Sequence, residues 1–278
     1  MANLLSIDPD DYHSLHGLSA STAKTIVAQS PLHAWHQHGA YGAAGKKPTK
    51  LMDRGNVIHS LVLGKGKAFR VIDHDSWRTN ASKDARDEAR AAKLIPILRE
   101  DYDDAEMATV EIMKELSDRG VVLDGVSEQA IAWTEDSESG PVACRGMMDH
   151  LRMDAGQIVD LKIVSSADPT SVERSAESFG YAIQAAAYQR ALVQMRPELA
   201  GRTRFLFLFC EATPPYAMNV CEPDGVFAEI GERRWLRAVE IWGRCIKRNE
   251  WPGYGKTVNR LSAPPWALAR EGYSQDGI

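Results

Sequence analysis

The stretch CRGMMDHLRMDAGQIVDLKIVSS, residues 144–166, limits what this chain can become more than any other. Two apolar runs flank the turn-forming Asp154, Ala155 and Gly156, so the pattern predicts an antiparallel β-hairpin. In QIVDLKIV a period of two puts Asp160 and Lys162 on one face, and Val159, Leu161 and Ile163 on the other. A charged pair in a strand ordinarily faces water. Here the strand is otherwise wholly apolar, as in an inner strand covered on both faces, and the turn carries Asp149 back beside Asp160. Two carboxylates brought together repel, and one is forced neutral unless a cation lies between them. A hard divalent ion meets that need, because Mg²⁺ normally takes one or two protein carboxylates and completes its shell with water and phosphate oxygens. Lys162 would then stand where it can orient a water and offset charge developing on a phosphate.

Composition narrows the class further. With 278 residues and 44% apolar content the chain can bury one large core or two small ones. No apolar run reaches the ~20 residues needed to cross a bilayer. The opening MANLLSIDPDDYH lacks the basic and apolar regions of a secretory signal, so a cytoplasmic protein without a membrane partner is expected. Cys144, Cys210, Cys221 and Cys245 form no CxxC pair and fit reduced thiols. The net charge of −5 excludes a generally basic surface that coats nucleic acid, leaving only local patches for such contact.

No repeat or low-complexity segment interrupts the chain. GLSASTAKTIVAQSP reads as a short helix capped by Ser19 or Ser21, and SPLHAWHQHG as a second that Gly39 stops. A flexible basic loop, GAYGAAGKKPTK, precedes a helix ended by Gly64. Residues 82–98 and 101–118 read as amphipathic helices. Strands follow in SEQAIAWT, VACRGMMDHLRMD and QIVDLKIV, then a helix over 178–195, strands in RFLFLFCEA and AMNVCE, and a long helix over about 225–249. This order predicts a single α/β domain over 1–278: a mainly helical part over 1–120, an α/β core over 121–255 and a tail over 256–278.

Asp149, Asp160 and Lys162 together resemble the core of the PD-(D/E)XK nuclease superfamily. GNVIHSLVLG resembles the Gly-x-x-x-His helix upstream of that core in the RecB-like branch, and GYAIQAAAYQRAL its downstream Gln-x-x-x-Tyr helix. SEQAIAW is similar to the strand that carries a further glutamate. DYHSLHGLSASTAKTIVAQSPLHAW and EWPGYGKTVNRLSAPPWA look like the two ends of the exonuclease VIII (RecE-type) nuclease domain, so the resemblance spans nearly the whole chain. One departure is Met148, where the superfamily has a proline that ligates nothing. The resemblance implies a restriction-endonuclease-like fold, with a mixed central sheet flanked by helices. It implies a Mg²⁺-dependent exonuclease, with Mn²⁺ able to substitute, that digests linear double-stranded DNA from 5′ to 3′ in recombination or phage DNA processing. It implies one ion held by Asp149, Asp160 and the Leu161 carbonyl, and a second using His59 with Asp149 and Glu128. It also implies a ring-shaped homo-oligomer, possibly a tetramer, and a single-strand annealing recombinase as partner.

The flanking residues also admit plainer readings. His59 lies on an apolar helical pattern, where a histidine is more often packed than ligating. Gln184 and Tyr188, at i and i+4, share a helical face; they are either boundary and core residues or the pair that holds Lys162, a backbone group or a DNA phosphate. Glu128 begins a strand, where a surface acid is ordinary. The wide cysteine spacing, with none before Cys144, excludes the iron–sulfur cluster of some RecB-like nucleases. His33, His36 and His38 lack the partners of a zinc site. Lys46, Lys47, Lys50, Arg202, Arg204, Arg233, Arg234 and Arg237 are the candidate phosphate contacts, each more often a solvated charge. Trp235, Trp242 and Trp251 are expected in the core or a subunit interface. Two rivals remain: a RecB-like endonuclease or single-strand nuclease of a mobile element or defence system, and a non-catalytic nuclease-fold DNA-binding protein.

Overall fold

The computed structural model describes residues 2–7, 9–41 and 48–272. The N-terminal part holds β1 (Asn3–Leu5), α1 (Pro9–Tyr12), α2 (Ala20–Ala28), α3 (Pro31–Gln37), α4 (Lys50–Leu63), β2 (Phe69–Ile72), α5 (Asn80–Ala91), β3 (Ile95–Leu98) and α6 (Arg99–Asp118). The core follows with β4 (Val126–Glu135), β5 (Val142–Arg152), β6 (Gln157–Val164), α7 (Pro169–Phe179), α8 (Tyr181–Met195), β7 (Arg204–Glu211), β8 (Met218–Cys221) and α9 (Gly225–Arg248), and α10 (Pro265–Arg270) comes last.

Six strands form one mixed sheet in the order β1-β4-β5-β6-β7-β8. The predicted hairpin is present: β5 and β6 are antiparallel, and β6 occupies the residues that the period-two pattern marked. The β6–β7 pair is parallel, with the α7–α8 crossover between them, and both strands are internal to the sheet. That position explains the run of apolar residues in β6 and in β7, RFLFLFCE, since both faces of each are covered. One face packs Ile158, Phe205, Phe207 and Phe209 against α2, α8 and α9, with Trp235 and Trp242 inside this layer. The other packs Val159, Leu161, Leu206 and Leu208 against α4 and α6, through Val57, Ile58, Ala108 and Ile112. Three apolar chains of β6 thus serve two cores, and Asp160, 1% exposed, lies on the Ile158 face, toward α8.

Some expectations need correction. The helix expected over 82–98 ends at Ala91, and Ile95–Leu98 is a strand paired in parallel with β2. Its four buried residues, IPIL, satisfy strand burial, and Lys93 turns the chain with φ +59°. The helix expected over 178–195 is two, because Gly180 takes a left-handed conformation at φ +65° and separates α7 from α8. Two further short strands, β1 of three residues and β2 of four, are ones the sequence pattern does not predict. Most of the basic loop, including Lys46 and Lys47, lies outside the described residues.

Candidate active site

The β5–β6 ladder runs from Arg152↔Gln157 to His150↔Val159 and stops there. On the other edge of β5, the β4–β5 register skips the position where Glu128 would face Asp149. Asp149 therefore sits where β5 loses its partner on both sides. Glu128 sits at φ +50°, a left-handed conformation that costs a non-glycine residue about 1–3 kcal/mol. The distortion takes Glu128 out of the ladder, and its carboxylate reaches His59. Beyond the fork, Leu18 occupies the free edge of β5: Leu18 N donates to Ala143 O, and Arg145 N donates to Leu18 O.

The candidate residues converge on this fork. His59, on α4, lies with Nδ1 3.2 Å from Glu128 Oε1 and Nε2 3.1 Å from Asp149 Oδ2. Asp149 Oδ2 also accepts from the Leu161 amide at 2.8 Å. Asp160 Oδ1 accepts from Gln184 Nε2 at 2.6 Å, and Gln184 Oε1 accepts from Lys162 Nζ at 3.2 Å. Lys162 Nζ lies 2.5 Å from Asp160 Oδ2 and 4.9 Å from the centre of the Tyr181 ring. Tyr188 is placed differently from Gln184. Its hydroxyl accepts from the Met147 amide at 3.3 Å, so it braces β5 while Gln184 bridges the acid and the lysine. Gly146 permits this, because a Cβ there would lie 2.5 Å from the Tyr188 ring. Neither Gly146 nor the role of Tyr181 carries a signal in a single sequence.

The electrostatics follow from burial and crowding. Burial pushes the Asp160 carboxyl up to about 6; the Lys162 ammonium opposes this and the Asp149 charge adds to it. Burial would also raise Asp149, but the His59 hydrogen bond, the nearby positive charges and the Leu161 amide outweigh it and hold Asp149 below the usual range. Burial would lower His59, yet its bonds to Asp149 and Glu128 raise it to about 10. Lys162 is likewise held charged by the two aspartates against the cost of burial.

Three acids and two cations leave the cluster one formal negative charge in excess. Asp160 Oδ2 is buried against the Lys162 ammonium at 2.5 Å, with the Asp149 charge nearby. No three histidine, cysteine or acidic side chains stand ready as a metal cage among the described residues. The donor set fits a divalent ion of the magnesium kind, which needs only one or two carboxylates and tolerates water in its remaining positions. Crowded buried carboxylates and excess negative charge are what such an ion relieves.

A family model described as "PDDEXK-like domain of unknown function (DUF3799)" matches residues 19–263. The chain belongs to this family. Its fold is also that of a putative exonuclease from Eubacterium rectale, at 14% identity and a TM-score of 0.61 over 99% of this chain and 100% of that one. A phage-related exonuclease from Haemophilus somnus 129PT aligns over 86% of this chain and 99% of its own, at 13% identity and a TM-score of 0.36. No curated protein matches the sequence. The PDDEXK-like core is thus a nuclease-type fold, and the acid–acid–lysine cluster occupies its sheet.

Other candidate residues have partners of their own. Arg204 pairs with Glu222, Arg234 with Glu177, Arg233 with Glu229 and Lys50 with Asp101. His33 bonds Ser30, and His38 is buried with Nε2 2.8 Å from Gly17 O. Trp235 and Trp242 are core residues. The four cysteines are free and separate. No helix among the described residues is long and apolar enough to cross a membrane.

Proposed function

We propose that the chain is a Mg²⁺-dependent DNA exonuclease that hydrolyses phosphodiester bonds from the ends of linear duplexes, in the 5′-to-3′ direction. The observation that carries the reading is Asp160: a buried carboxylate, crowded by Asp149 and paired with the buried Lys162. Asp149 and Asp160, with His59 and Glu128 beside them, would hold the ion. Bound there, it supplies charge to acidify water and to neutralise a phosphate as the bond breaks. Lys162, fixed by Gln184 and by the Tyr181 ring, presents an ammonium to the reacting phosphate and balances its developing charge. Gln184 keeps Lys162 and Asp160 in register, and Tyr188 holds the β5 backbone that carries Asp149. Duplex ends as substrate, 5′-to-3′ polarity, a ring-shaped homo-oligomer and an annealing recombinase as partner rest on the resemblance to RecE-type domains.

The test is purified protein with Mg²⁺ on duplex labelled at either end and on covalently closed circles. Mg²⁺-dependent loss of label from the 5′ end first, with closed circles untouched, is the expected result. Cleavage of closed duplex circles at the rate of linear duplex would favour an endonuclease. No cleavage of any DNA with Mg²⁺ or Mn²⁺ would remove the catalytic reading.

A further inference from the structure

A column of aromatic rings runs from the core to a cavity beside the fork. The cavity, about 730 Å³, is lined by Gln184, Tyr181, Phe179 and Lys24. Phe205 and Phe207, on β7, are buried with their ring centres 4.6 Å apart. The Tyr181 ring stacks on Phe207 at 5.6 Å and 26°, and the Phe179 ring stacks on Tyr181 at 5.8 Å and 24°. Among the described residues the column ends there, and Phe179 is 56% exposed.

A single exposed apolar side chain is ordinary on a protein surface and would by itself mean nothing. Its place is what counts. Phe179 closes α7, and the left-handed Gly180 turns the chain so that Tyr181 opens α8 with its ring nearly parallel to that of Phe179. Tyr181 in turn lies 4.9 Å from Lys162 Nζ. The exposed ring is therefore two contacts away from the ammonium assigned to the reacting phosphate. From α2, Lys24 Nζ lies 4.9 Å from the centre of the Phe179 ring, and a Cβ on Gly180 would come within 3.0 Å of Lys24 Cγ, so α2 packs against this turn. An exposed ring and an ammonium at one cavity suit the two parts of a nucleotide, a flat base and an anionic phosphate.

We infer that Phe179 is a stacking site for one nucleobase of the strand being cut: the base extends the aromatic column, and Lys24 takes a phosphate of the same strand. A cation–π contact at an exposed site is weaker than the stacking of a base on an aromatic ring, so a base can take the ring and release the ammonium to the backbone. Every base has a π face, so the contact grips the strand without reading its sequence. Phe179 binds substrate here and has no part in holding the ion. The inference rests on the proposed nuclease reading and names a substrate contact that the acid–acid–lysine cluster does not supply.

The test measures kcat/KM with Mg²⁺ on linear duplexes in which one abasic nucleotide is moved through the terminal positions of either strand. At one position, loss of the base should cost wild type about ten-fold, the scale of one base–aromatic stack. Phe179→Ala should lose about as much on intact DNA and then show no further penalty at that position. Phe179→Tyr, which keeps a flat ring, should retain the abasic penalty; Phe179→Leu, which keeps only apolar bulk, should lose it. Each ratio compares two substrates on one protein, so a smaller folded fraction cancels and a purely structural role would not move it. Lys24→Gln should weaken cleavage of intact and abasic DNA alike, since both keep the phosphate. The same abasic penalty in wild type and Phe179→Ala at every position, or wild-type sensitivity in Phe179→Leu, would overturn the stacking site and leave the nuclease reading intact. No cleavage by wild type on any substrate would instead remove the nuclease reading on which it rests.

Discussion

Two buried carboxylates in this molecule solve the same problem in opposite ways. Glu135, at the end of β4, is 2% exposed and fully served: Arg190 donates through Nε and Nη2, and the Trp133 and Trp235 indoles both donate to Oε1. Burial pushes its carboxyl up, but these donors outweigh it and the net shift is downward. Asp160, as deeply buried, meets Gln184 and Lys162 but has a second acid beside it and a carboxyl pushed up to about 6. Glu135 stands among donors alone, whereas Asp160 shares its site with a second carboxylate. A buried charge crowded by a like charge is costly, so the contrast marks the fork as the place where something else is meant to bind.

The largest effect should come from the crowded site. Asp160→Asn and Lys162→Ala should each lower Mg²⁺-dependent cleavage by about 10²–10³-fold or more, while circular dichroism stays native. In EDTA, Asp160→Asn should be at least as stable as wild type above pH 6. An acid whose folded pKa is raised holds its proton in the native state, so its stability is greatest below the unfolded value, near 3.9. It is lost as pH rises through about 6, and asparagine escapes that loss. Wild-type cleavage rates from either variant would break the contrast.

The fully served site should answer in stability, not activity. Glu135→Gln, followed by urea denaturation at pH 7, should cost about 2–3 kcal/mol, discounted from a fully buried pair because Arg190 is partly exposed. Its activity per folded molecule should be near wild type. The sign with pH is opposite to that of Asp160: the lowered Glu135 carboxyl stabilises above its unfolded value, near 4.3, and that stability is lost as pH falls through the folded one. The gap between wild type and Glu135→Gln should therefore close below about pH 4.

Smaller effects sharpen the packing around the fork. Gly146→Ala should destabilise by about 1–3 kcal/mol, because its Cβ meets the Tyr188 ring with no room to yield. It should also weaken cleavage by shifting β5. Gly55→Ala should be nearly silent: its Cβ would find only ordinary contact with Ile163, at 3.7 Å, and alanine favours the helix by up to about 1 kcal/mol. Thermal melts distinguish the two.

Much of this arrangement is legible in the sequence, for physical reasons. QIVDLKIV is a strand because both faces are buried, and the same burial makes Asp160 and Lys162 stand out. Gln184 at one helical turn from Tyr188 places both on the sheet-facing side of α8, yet only Gln184 meets the acid; Tyr188 reaches backbone that the spacing could not foretell. IPIL is too short for a period to separate strand from helix, so β3 was hidden at the end of an amphipathic run. Arg145, Gly146, Tyr12 and the left-handed Glu128 depend on contacts between distant segments or on a local break in a ladder, and neither leaves a pattern in a linear reading.

The most direct test of the central claim is Mn²⁺ binding, followed by calorimetry without DNA, in wild type, Asp160→Asn and Glu135→Gln. Mn²⁺ suits the same oxygen-rich site as Mg²⁺. The account predicts that wild type and Glu135→Gln bind the ion alike, and that Asp160→Asn loses most of that binding. Equal binding by all three proteins, or no binding by wild type, would contradict it.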